Sequence, residues 1–173
     1  VNRDMAPFRA ALAKVLSPGA PNSEAAWQEA LKATPNANGR RTLYLDRGER
    51  LKLLENISAE SAPFARALCL LPLRPGALSA LTAGDFDKRT SELTIGKDKT
   101  GKPRRIQSPK EAAKLLAAQA KNKLPSAALF MRANGKGWDK DSWKLPIAAA
   151  VAAAGLPGDA TAYTLRHSTI TDL

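Results

Sequence analysis

A mostly helical domain carrying one small antiparallel sheet is the fold class this chain predicts, on three observations. Apolar residues recur at three- and four-residue intervals in several stretches, the period of helices that bury one face. Residues that start and stop helices fall at the ends of those stretches. Only Leu93-Thr94-Ile95 and Arg104-Arg105-Ile106-Gln107 read as strands, and Thr100-Gly101 between them supplies the backbone freedom of a hairpin turn. With 173 residues, 44% of them hydrophobic, the chain is globular and long enough for one packed domain plus an appended segment.

Taken in order, Val1 to Leu16 reads as an amphipathic helix, with Met5, Phe8, Leu12 and Val15 or Leu16 on one face and Ser17-Pro18-Gly19 ending it. A short helix from Ser23 to Lys32 follows, capped by Ser23. Thr34-Pro35-Asn36-Ala37-Asn38-Gly39-Arg40-Arg41 collects turn formers and charge, as an interdomain linker does, so the boundary is placed between 39 and 40. Asp46 and Glu49 have capping-box spacing ahead of Leu51, Leu53, Leu54 and Ile57. Pro63 to Leu73 is nearly all apolar and reads as the buried central helix, with Cys69 a small core residue. After the hairpin, Ser108-Pro109-Lys110-Glu111 opens a helix to about Asn122, with Ser108 as cap and Pro109 at its first position. An alanine-rich helix from about Asp141 to Ala154 stops at Gly155, and Thr161 caps the last helix. Trp138 and Trp143 are expected in the core.

Lys and Arg total 27 against 16 Asp and Glu, a formal net charge of +11, and a globular chain this basic calls for a polyanionic partner, nucleic acid first. No stretch has the length of apolar residues that a spanning helix needs, and the first residues lack the order of a signal peptide. The lone Cys69 excludes an intrachain disulfide and fits a reducing cytoplasm. With His167 the sole imidazole and no carboxylates grouped at ligand spacing around it, neither a metal nor a cofactor is expected.

The chemistry-bearing residues are Arg74 in Leu73-Arg74-Pro75-Gly76, Arg166 in Tyr163-Thr164-Leu165-Arg166-His167, and between them the turn Lys97-Asp98-Lys99-Thr100-Gly101-Lys102-Pro103-Arg104-Arg105. Each guanidinium offers a planar fork of donors matched to phosphate oxygens, and a turn lysine can supply a mobile proton. Together they read as a phosphate clamp. In this order and these contexts the chain resembles the catalytic domain of the tyrosine recombinases, the phage-integrase family, over about residues 40–173; residues 1–39 resemble the end of its N-terminal core-binding domain.

That resemblance implies a tyrosine-recombinase-like α+β catalytic domain that cleaves and rejoins DNA in site-specific recombination or integration of a mobile element, through a 3′-phosphotyrosyl intermediate and without cofactor. It implies double-stranded DNA as partner, no membrane, a cytoplasmic protein of bacterial or phage origin, a full-length tetramer on DNA and a monomeric fragment. Lys99 is placed as general acid, before Thr-Gly in the turn where relatives carry their catalytic lysine, with Lys97 and Lys102 as competitors. Lys97, Lys102, Arg104, Arg105, Arg40 and Arg41 are expected on DNA backbone, and Tyr44 where the linker meets DNA. Relatives carry their nucleophilic tyrosine on a helix well beyond the second arginine, whereas this sequence ends at Leu173, so the site is expected to lack its nucleophile and the chain to be inactive alone. Two positions depart from the pattern: Ala77 where relatives have a carboxylate, and Tyr163 where they have His. A phenol hydrogen-bonds phosphate but is a poor proton shuttle at neutral pH, so Tyr163 is expected to bind rather than to act as base or nucleophile. Ala77 and Tyr163 leave open a recombinase-like accessory DNA-binding module without catalysis, and the clamp leaves open a type IB topoisomerase relative.

Overall fold

The computed structural model describes residues 2–15, 31–32, 43–96 and 103–172, and the chain divides into two units, Val1–Thr42 and Leu43–Leu173. In the first, α1 (Asn2–Val15) matches the expected helix and contains Pro7, though Phe8 of its expected apolar face is exposed. The helix expected from Ser23 to Lys32 and the linker at 34–41 fall almost wholly outside the described residues.

The second unit is built around one apolar helix. Asp46 and Glu49 form the expected capping box at the start of α2 (Arg47–Asn56), the Glu49 amide donating to Asp46 Oδ1 and the Asp46 amide to Glu49 Oε2, each at 2.8 Å. α3 (Ala62–Leu70) buries Phe64, Ala65, Ala67 and Leu68 and packs against α2, α4 (Pro75–Ser79), α5 (Lys110–Ala120) and α7 (Ala162–Thr171). It ends three residues before the expected Leu73. Leu71 precedes Pro72 and is extended, at φ −124° and ψ 134°, because the proline ring crowds a helical conformation in the residue before it. Leu71 and Leu73 remain fully buried. α6 (Lys144–Ala153) packs on α2, and Phe64 stacks against both Trp138 and Trp143 at 5.5 Å between ring centres. Both indoles are therefore core, as expected from their apolar bulk.

The sheet has three strands in the order β1 (Phe86–Asp87), β2 (Glu92–Ile95), β3 (Arg104–Gln107), all antiparallel, with Leu93 opposite Phe86 on one side and Ile106 on the other. The two expected strands are present, and β1 is an addition. At two residues it is too short to show an alternating pattern. Ser108 is not the cap of α5: that position is Pro109, since the Ser108 amide is drawn to Ser91 O at 2.9 Å as the strand pairing ends. α6 starts three residues after the expected Asp141, because Asp139 Oδ1 takes the amides of Asp141 and Ser142 into a turn. Its end is as expected. Gly155, at φ 65°, lets its own amide reach Ala152 O and that of Leu156 reach Val151 O, a paired closure that needs a left-handed residue. Among the described residues no helix is long and apolar enough to cross a membrane.

Candidate active site

Two neighbouring elements present the arginines. α7 is capped by Thr161, whose amide donates to Thr164 Oγ1 at 3.0 Å, and it buries Ala162, Thr164, Leu165, Ser168 and Thr169. Three of these are hydroxyl residues, which is costly to bury unless each is satisfied. Ser168 Oγ donates to Thr164 O at 2.9 Å and accepts the Leu45 amide at 2.9 Å. Thr169 Oγ1 lies 2.9 Å from Leu165 O and 3.0 Å from Leu68 O, the latter on α3. The hydroxyls thus pin α7 to the central helix and to the incoming chain. Residues on the other side of α7 are left for solvent: Tyr163 and His167 are exposed, and Arg166 is half-buried. Tyr163 and Arg166, three apart, share a face.

Arg74 is exposed between the buried Leu73 and Pro75, at the N-cap of α4 with φ −65° and ψ 142°. Its extended backbone follows from the proline after it, and the burial of its two neighbours turns its own side chain outward. α4 packs against both α3 and α7, so the element that Arg74 opens adjoins the one that carries Arg166 and Tyr163. Ala77, in the carboxylate position, is half-buried against the core.

Lys97, Lys99, Lys102, Arg40 and Arg41 lie outside the described residues. Arg104 and Arg105 are exposed on β3, and Arg105 Nε is 3.3 Å from Glu92 Oε1 across the strand pair, a solvated contact easily exchanged for a phosphate. Tyr44 has a structural partner: its hydroxyl donates to Asp172 Oδ1 at 2.7 Å. Asp172 also forms an ion pair with Arg50, whose other nitrogens reach Asp46 O at 3.3 Å and Thr169 Oγ1 at 3.4 Å. The Tyr44 hydrogen bond and then the Arg50 contacts hold the Asp172 carboxyl below its ordinary value, and the same Tyr44–Asp172 bond raises the phenol. This network ties the C-terminal turn of α7 to α2. Nothing local in sequence announces it, because its partners are more than a hundred positions apart.

Cys69 is half-buried, and desolvation pushes its thiol up to about 12, partly offset by Arg50. A cavity of about 750 Å³ beside it is lined by residues of α2, α3, α5 and the end of α7, and by neither Arg74 nor Arg166. Among the described residues no three His, Cys, Asp or Glu side chains are grouped to hold a metal ion.

No protein-family model and no curated protein matches the chain. Solved structures do. A Tn1549 transposon integrase in complex with circular intermediate DNA is similar at a TM-score of 0.74 and 17% identity, over 99% of this chain and 66% of that one. XerA recombinase is similar at 0.64 and 23%, over 80% and 52%, and XerH site-specific recombinase bound to difH substrate at 0.54 and 23%, over 74% and 42%. The chain thus spans about half to two thirds of the XerA and integrase chains, and at these identities the likeness is one of fold: this chain has the fold of a tyrosine-recombinase catalytic domain.

Proposed function

We propose that this chain is the catalytic domain of a tyrosine recombinase, acting on double-stranded DNA in site-specific recombination or integration by cleavage through a 3′-phosphotyrosyl link and rejoining. The observation that supports this most is the packing of α4, opened by Arg74, against α7, which carries Arg166 and Tyr163, in a fold shared with recombinases solved on DNA. Arg74 and Arg166 neutralise the non-bridging oxygens of a five-coordinate phosphate, a role suited to cations that do not titrate near neutral pH. Tyr163 hydrogen-bonds a phosphate oxygen. Lys99 protonates the departing 5′-oxygen, with Lys97 the competing donor, while Lys97, Lys102, Arg104, Arg105, Arg40 and Arg41 contact backbone. The nucleophile comes from a helix following α7, and the working form is a tetramer on DNA. The link conserves the energy of the phosphodiester, so no nucleotide or other cofactor enters.

The test is cleavage of a nicked suicide substrate by a polypeptide extended through that following helix. Arg74→Ala and Arg166→Ala are each expected to lower cleavage by about 10²–10³-fold, more than they lower DNA binding. The 173-residue chain alone is expected to give no covalent adduct; an adduct at Tyr163 overturns the role given to that residue. Ala77, half-buried where relatives place an orienting carboxylate, favours a second reading as a DNA-binding accessory module without catalysis. Binding without cleavage by the extended wild-type protein decides for it.

A further inference from the structure

α7 is a ten-residue helix, too short to be stable in water by itself, so its direction and its rotation about its own axis are set by what it packs on. Its buried face offers little apolar grip. Of its five buried residues, Ala162, Thr164, Leu165, Ser168 and Thr169, only Leu165 is a large apolar side chain. Apolar contact is non-directional, whereas a hydrogen bond holds within a narrow range of distance and angle. The rotation of α7, and with it the direction in which Arg166 points, is therefore left to polar contacts.

Those that reach across to other elements gather on the C-terminal side of Arg166. Ser168 Oγ accepts the Leu45 amide at 2.9 Å, and Thr169 Oγ1 donates to Leu68 O at 3.0 Å. Asp172, the C-cap of α7, is engaged through both carboxylate oxygens, Oδ1 by the Tyr44 hydroxyl at 2.7 Å and Oδ2 by Arg50. The adjacent residues Tyr44 and Leu45 thus grip α7 at Asp172 and Ser168, one turn apart. Arg50 is 8% exposed, and its other nitrogens reach Thr169 Oγ1 on α7 and Asp46 O ahead of α2. Stability alone is a poor account of this arrangement. The desolvation cost of a buried ion pair largely offsets its attraction, and apolar side chains of similar volume in its place are often as stable or more so. What an apolar pair does not supply is direction.

We propose that Arg50, Asp172 and Tyr44 are positioning residues, which fix the rotation of α7 and thereby place the Arg166 guanidinium against the phosphate. They act through the helix and not on the phosphate itself. Their effect on cleavage rests on the recombination reading; their effect on the setting of Arg166 does not.

The paired change Arg50→Met and Asp172→Leu removes the ion pair and keeps apolar bulk in its place. In the 173-residue chain this variant is expected to keep its Tm or raise it, while the Arg166 Nε–H signal in a nitrogen–proton NMR spectrum shifts and broadens. Tyr44→Phe, which removes one partner of the carboxylate and no charge, moves the same signal in the same direction by less. In the extended protein the paired variant is expected to lower single-turnover cleavage at saturating DNA by about 10–10²-fold, the scale set by a misplacement of about 1 Å, with DNA affinity unchanged. Glu111→Gln with Lys114→Gln, which removes a solvated pair on α5, leaves both the signal and the rate as in wild type. An Arg166 signal unmoved in the paired variant, cleavage at the wild-type rate, or a fall in Tm alongside the fall in cleavage overturns the proposal. If the extended wild-type protein does not cleave, the recombination reading falls, and the Arg166 signal still decides whether these residues set that side chain.

Discussion

Lys99 and Lys97 differ by two positions in the sequence between β2 and β3, and only chemistry separates them. If Lys99 protonates the departing 5′-oxygen, Lys99→Ala in the extended protein lowers cleavage by about 10²–10⁴-fold and leaves most DNA binding intact, because the lost interaction belongs to the transition state. Substituting sulfur for the bridging 5′-oxygen makes a leaving group that needs little protonation. That substrate is expected to restore much of the rate to Lys99→Ala but not to Arg74→Ala or Arg166→Ala. Rescue of Lys97→Ala in place of Lys99→Ala reassigns the acid. Asp172 offers a test on stability. Its carboxyl is held below the ordinary 3.8 by Tyr44 first and Arg50 next, so its ionised form favours the folded state. That contribution is complete above the ordinary value and is lost as pH falls through the folded one. Asp172→Asn is therefore expected to lower the urea midpoint at pH 7, with the gap to wild type closing below about pH 4. A gap that stays constant from pH 7 to pH 2 refutes the ion pair.

Among the elements, α7 has the most at stake, since it carries Arg166 and Tyr163 and is held by side-chain hydroxyls as much as by apolar contact. Ser168→Ala removes the acceptor of the Leu45 amide and leaves a buried N–H unsatisfied, at a cost of about 1–3 kcal/mol. Chemical denaturation checks it, and Ser168→Thr serves to show whether the hydroxyl alone suffices. α6 depends on the glycine beyond its C-cap in a different manner. A Cβ at Gly155 meets nothing within 4 Å, but φ is +78° at Gly135 and +65° at Gly155, so the penalty there is conformational. Gly155→Ala is expected to cost about 1 kcal/mol, and the loss of less than a few tenths in a denaturant titration contradicts the left-handed closure.

For the molecule as a whole, a formal charge of +11 makes association with nucleic acid strongly electrostatic. Each phosphate neutralised contributes about 0.9 to the slope of log affinity against log salt. The 173-residue chain is expected to bind unrelated duplexes with similar affinity and to lose that affinity steeply as salt rises, because in the proposed function its arginines and lysines address phosphate rather than base edges. Fluorescence anisotropy at a series of salt concentrations measures the slope, and a flat titration sinks the assignment of DNA as partner.

Features whose cause lies within a few residues were legible before any coordinates. The Asp46–Glu49 box, the Gly155 closure, the β2 and β3 strands and the apolar character of α3 all follow from neighbours along the chain, whose geometry the local backbone dictates. What only the tertiary structure decided is which distant groups meet: Tyr44, Arg50 and Asp172 in one network, the Leu45 amide on Ser168, Thr169 on the Leu68 carbonyl, and α4 against α7. Ser108 shows the two levels in conflict, since its local pattern is that of a cap while the sheet claims its amide and its hydroxyl is buried. Hydrogen bonds between residues a hundred positions apart form only once packing has brought their elements together, so no sequence window of a helix's length contains both partners.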